Sequence, residues 1–77
     1  MNADLSKYKE GFNAGFLRLR QIDVERATND LWEALGVNNR ESFRYYKLGR
    51  QKCDAEQIEK VENVFRNYGV TDKIWGV

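Results

Sequence analysis

Apolar positions recur with the 3.6-residue period of helices along most of this chain, and three stretches show it plainly. In residues 24–35, VERATNDLWEAL, the side chains of Val24, Ala27, Leu31, Ala34 and Leu35 fall on one stripe, with Trp32 on its flank. Asp23 stands ahead as an N-cap, and Gly36 ends the helix as a left-handed residue with Val37 packing back. The second stretch runs from Arg40 to Leu48, capped by Asn38 or Asn39 and stopped by Gly49. Its inward face is Phe43 and Tyr46, with Leu48 as a further candidate. The third follows Asp54, with Gln57 at the capping-box position. Ile58, Val61, Phe65 and Tyr68 form its stripe, assisted by Val64, and Gly69 closes it.

The N-terminal part is less regular. Leu5, Tyr8, Phe12, Phe16 and Leu19 recur at helical spacing, with Ser6 as a cap. Gly11 and Gly15 each weaken a helix by roughly 1 kcal/mol relative to Ala, so the first turns are expected to fray. Residues 16–22, FLRLRQI, also read as a short strand, because Leu17 and Leu19 alternate with Arg18 and Arg20. Lys73-Ile74-Trp75 would be its partner; helix is the preferred reading. The expectation is an all-α fold, a small bundle of about four short helices, with a minor terminal strand pair as the variant. Residues 1–15 are a partly flexible segment, 16–70 the folded domain, and 71–77 a short tail with an exposed-looking Trp75, for which anchoring a dimer, capping the core and lying loose are all open readings.

Composition narrows this picture. The chain has 77 residues, a length at which one core is barely sufficient, and 42% hydrophobic residues exclude a disordered chain. There is no His and one Cys, which excludes an internal disulfide and a Cys/His zinc site. No metal or cofactor is expected, and no small-molecule substrate. A lone thiol fits a reducing compartment, and no apolar run reaches the length of a membrane span, so a cytoplasmic location away from membranes is expected.

Net charge is only +1, so its placement carries the argument. Arg40, Arg44, Lys47, Arg50 and Lys52 against Glu41 make residues 38–52 the basic block. Both neighbouring helices are net acidic. A phosphate backbone would be attracted by that one face and repelled by the others. Charge alone fits a solvated helix face equally well.

The order helix, sharp turn at Gly36, short helix is that of a helix-turn-helix, whose second helix presents outward residues to base edges. Here those are Arg40, Glu41, Arg44 and Tyr45, opposite Phe43 and Tyr46. Arg grips guanine bidentately, Glu accepts from cytosine, and Tyr bonds phosphate or touches a thymine methyl. Arg50 and Lys52, just past the helix, are in reach of phosphates. Taken singly, Glu41 is expected to pair with a neighbouring Arg, Lys47 to be solvated, and Cys53 to be an incidental thiol.

LWEALGV, then ESFRYYKLGRQK, then a capped helix ending FRNYGV resembles the lambda repressor/Cro-like family of helix-turn-helix DNA-binding domains. Leu31, Leu35, Gly36 and Val37 match its first helix and turn. Phe43, Tyr46, Gly49 and Arg50 match the recognition helix, and Ile58, Val61 and Tyr68-Gly69-Val70 the helix that follows. The match spans about Thr28 to Val70. The resemblance implies base reading by Arg40, Glu41 and Tyr45, with Arg44 beside them, and phosphate contacts at Thr28 and Arg50; Asn39 and Lys52 are added as phosphate-binding candidates. It further implies a double-stranded DNA partner, a homodimer on paired half-sites, and a small transcriptional regulator of phage or mobile-element type. Two departures touch the interhelical angle. Trp32 stands where the family has a small residue, and the turn is about one residue longer.

An enzyme is not expected. Ser6, Ser42 and Cys53 have no recognisable base, and Asp30/Glu33 and Glu59/Glu62 are expected to be solvated on outer helix faces. The alternative to DNA binding is a protein-interaction module that keeps the same fold and binds through Tyr45, Trp32 and Trp75. RNA binding is a weaker third reading, since the exposed aromatics form no sheet platform for bases.

Overall fold

The structure is a computed structural model that describes residues 11–76. It is all-helical: α1 (Asn13–Leu17), a 3₁₀ turn (Gln21–Asp23), α2 (Val24–Leu35), α3 (Arg40–Leu48) and α4 (Ala55–Asn67). Among the described residues there is no strand, so the strand variant for 16–22 is overturned. The preferred helix holds only as far as Leu17: residues 18–20 form a turn that carries Leu19 inward, beside the inward Phe16, while Leu17 is 74% exposed. The tail is tied instead to the residue just ahead of that stretch, by a backbone bond from the Gly15 N–H to the Ile74 carbonyl at 2.9 Å.

The three helices that periodicity predicted have local reasons to begin and end where they do. Asn39 caps α3 by accepting from the Ser42 N–H at 2.8 Å. Asp54 and Gln57 form the reciprocal capping box on α4. Gly36 lies at φ 72° and Gly49 at φ 81°, left-handed positions where glycine avoids the Cβ penalty. Asp23 sits at the start of α2, but its side chain does not cap it. That carboxylate is buried and accepts from the Arg20 Nε at 2.9 Å; the Asp23 backbone, at φ −97° and ψ −10°, is helical and not in the extended conformation from which an N-cap side chain reaches the first turn.

α2 runs along α4, and α1 lies against α3. The centre of the core is Phe12, which is wholly buried. Its ring contacts Phe43 of α3, Phe65 of α4 and Trp75 of the tail, at centroid distances of 5.8, 5.8 and 6.1 Å. Such tilted and edge-on arrangements suit the ring quadrupoles. The core therefore crosses the expected boundaries at 15/16 and 70/71. Of the readings open for Trp75, capping the core is the one observed: it is 5% exposed, and its Nε1 donates to Glu62 Oε2 at 3.0 Å. The expected cap Ser6 and stripe residues Leu5 and Tyr8 lie outside the described residues.

The two N-terminal glycines are points of close approach. A Cβ on Gly11, itself at φ 69°, would stand 2.4 Å from the Lys47 carbonyl oxygen and 2.5 Å from the Gly49 nitrogen. A Cβ on Gly15 would stand 2.8 Å from the Ile74 Cα. Only glycine lets the chain seat its first turn on the end of α3 and on the tail.

Cys53 is buried ahead of α4, and burial, with a smaller effect from the Asp54 charge, pushes its thiol up to about 11. Starting from 9.0, that shift lowers the thiolate fraction roughly 100-fold near neutral pH. An alkylating reagent at pH 8 should label Cys53 at least about 100 times more slowly in the native protein than in denaturant. Equal rates would place the thiol at the surface. Because the folded state holds the proton more tightly, this contribution to stability is complete below about pH 9 and is lost as pH rises towards 11.

Candidate nucleic-acid interface

α3 presents two faces fixed by its period. Phe43 points inward, with Tyr46 half-buried beside it. On the other side Arg40, Glu41, Arg44 and Tyr45 line one open groove of about 450 Å³ together with Leu48 and Arg50. All four predicted base-reading residues are thus brought together. Leu48, an inward candidate by sequence, is 36% exposed and belongs to this groove. The signal for it was available: it stands one helical turn beyond Arg44.

The phosphate candidates are more scattered. Arg50 joins the groove because Gly49 turns the chain back over the end of α3, where the Arg50 and Gln51 N–H groups both donate to the Tyr45 carbonyl. Lys52 is exposed but outside the groove. Thr28 is half-buried on α2, away from it. Asn39 is occupied: its Oδ1 caps α3 and its Nδ2 donates to Asn38 Oδ1 at 3.2 Å.

Within the groove Glu41 does not pair with an arginine. Among the described residues it has no ion pair, and its Oε1 accepts the Tyr45 hydroxyl at 2.8 Å across one turn of helix. That bond, and then the Glu41 charge, holds the Tyr45 hydroxyl above its ordinary pKa, so it remains a donor through neutral pH. The groove is therefore lined by three arginines and one carboxylate that is held by a hydrogen bond. Lys47, expected in solvent, is half-buried with its Nζ 4.7 Å from the Phe16 ring centroid. A cation over an aromatic face ties α3 to α1.

The helix pair is held by a residue whose tertiary role periodicity did not reveal. Gln57, besides closing its capping box, donates through Nε2 to the Leu35 carbonyl at 3.1 Å and to the Tyr46 hydroxyl at 3.4 Å. It thereby joins the end of α2, the inner face of α3 and the start of α4. The four residues 36–39 between α2 and α3 fall within the length range of such turns. The Trp32 ring lies between the two helices, 6.0 Å from Phe43 and tilted by 37°, so it fills the space that a small residue would leave. Its Nε1 is buried without a hydrogen-bond partner among the described residues.

The outer carboxylates are not all solvated. Asp30 accepts the Tyr68 hydroxyl at 2.6 Å and Glu62 the Trp75 Nε1, so one acid of each expected pair ties an element down. Among the described residues no helix is long and apolar enough to cross a membrane. No family model, no curated protein and no solved structure matches this chain.

Proposed function

We propose that this chain is a sequence-specific DNA-binding domain that lays α3 in the major groove of duplex DNA. The observation that carries the reading is the convergence of Arg40, Arg44 and Arg50 with Glu41 and Tyr45 in one outward groove of a short helix. A major groove about 12 Å wide admits such a helix, and guanidinium groups can grip guanine there or a phosphate beside it. Leu48 adds an apolar contact of the kind that meets a thymine methyl. Lys52 and Arg50 serve the phosphates, with Thr28 as a more distant contact. The resemblance to lambda repressor/Cro-like domains adds a homodimer on paired half-sites and a role in transcriptional regulation to the proposal.

Titration of labelled duplex fragments across a salt series tests it. Five cations lie on residues 40–52, and each phosphate neutralised contributes about −0.9 to the slope of log K against log salt. A slope between about −2 and −4.5 per protomer is expected. Absence of binding at low salt would overturn the reading.

The protein-interaction alternative draws support from the net charge of +1 and from Tyr45, which is 41% exposed. Against it, Trp75 is buried and Trp32 is packed on Phe43, so two of its three aromatic anchors are spent on the core. Retention on heparin at moderate salt favours phosphate binding, and flow-through favours a partner chain.

A further inference from the structure

The carboxylate in the groove is the feature that phosphate binding does not explain. Placed on a face that approaches DNA, Glu41 is repelled by every phosphate, and it neutralises part of the charge of Arg40, Arg44 and Arg50 around it. It is nonetheless held in one place, by the Tyr45 hydroxyl on Oε1. Glu41 is exposed, and Oε2 and the remaining lone pair of Oε1 are left as acceptors with no donor among the described residues.

The edges that bases show in the major groove decide what such an acceptor fits. Guanine shows two acceptors, N7 and O6, and thymine shows the O4 acceptor beside its methyl group; both repel a carboxylate. Adenine shows its N6 donor next to the N7 acceptor, so a second carboxylate oxygen meets a lone pair there. Cytosine alone shows a donor, the N4 amino group, without a neighbouring acceptor on the same base. We propose that Glu41, positioned by Tyr45, selects a cytosine at one position of the DNA site, and that Tyr45 acts through Glu41 and not as a base reader itself. This rests on the DNA-binding reading above and deepens it.

The test starts with selection of a preferred duplex by the wild-type chain. Dissociation constants are then measured for that duplex and for the four base pairs at each position, with wild type, Glu41→Gln and Tyr45→Phe. Wild type is expected to prefer cytosine at one position by ~10-fold or more. Glutamine carries a donor beside its acceptor, so Glu41→Gln should move the preference at that position to adenine. Tyr45→Phe should reduce the cytosine preference at the same position at least about threefold and leave the ratios at other positions as they are. Thermal unfolding of each variant is followed in parallel. If Tyr45→Phe lowers every ratio together with the melting temperature, its role is structural and the inference fails. If wild type binds DNA with the expected salt slope and neither variant changes any single-position ratio, the inference fails while the DNA reading stands. If wild type binds no duplex at low salt, both fail.

Discussion

Replacing Phe12 with alanine should leave the protein largely unfolded near 37 °C. The ring is wholly buried and contacts Phe43, Phe65 and Trp75, so its loss removes packing from α3, α4 and the tail at once. Truncating a buried Phe costs about 3–5 kcal/mol through lost transfer energy and the cavity left behind. A single core in a domain of this size supplies about the same amount. With each kcal/mol worth roughly 4–8 °C at this length, the melting temperature should fall by at least about 12 °C. Circular dichroism melts and urea titrations measure it. Phe12→Leu should lose clearly less, because most of the volume remains. Leu17→Ala and Ile22→Ala should stay within about 0.5 kcal/mol of wild type, since those side chains are 74% and 81% exposed. A Phe12→Ala protein melting within a few degrees of wild type would mean that the N-terminal segment is not part of the core.

The second large effect concerns Arg44. It stands one turn after Arg40 on the outward stripe of α3, between Glu41 and Leu48, at the middle of the groove. Under the proposed reading, Arg44→Ala should weaken a selected duplex by about 1–3 kcal/mol, or roughly 5–150-fold, and random duplex much less. Arg50 lies beyond Gly49, off the helix, where a guanidinium meets the backbone. Arg50→Ala should therefore weaken all sequences alike and lower the salt slope by about 1. Equal losses for Arg44→Ala on selected and random DNA would remove that residue from base reading. Both variants should keep the wild-type melting temperature, because both side chains are exposed.

The bounds of α2, α3 and α4 were legible in the sequence because what sets them is local. A cap acts on an N–H three residues away, a glycine relieves strain at its own φ, and a stripe at spacings of three and four needs no knowledge of the partner. Asn39, Gly36, Gly49, Asp54 and Gln57 act in this way at those helix ends. The convergence of Arg40, Glu41, Arg44 and Tyr45 was legible for the same reason, since one helix face holds all four.

What the tertiary structure decided involves groups far apart along the chain, or choices between partners that are equally near. Phe12 carries no local mark of its central place; the rings around it come from positions 43, 65 and 75. Two glycines that weaken a helix in isolation turn out to be where the backbones of α3 and the tail come too close for a Cβ. Gln57 satisfies a carbonyl 22 positions earlier, which no capping motif announces. Glu41 had arginines and a tyrosine within one helical turn, and spacing did not choose among them. The side-chain geometry on the finished helix did: the tyrosine hydroxyl donates to its carboxylate at 2.8 Å, and among the described residues no arginine forms an ion pair with it.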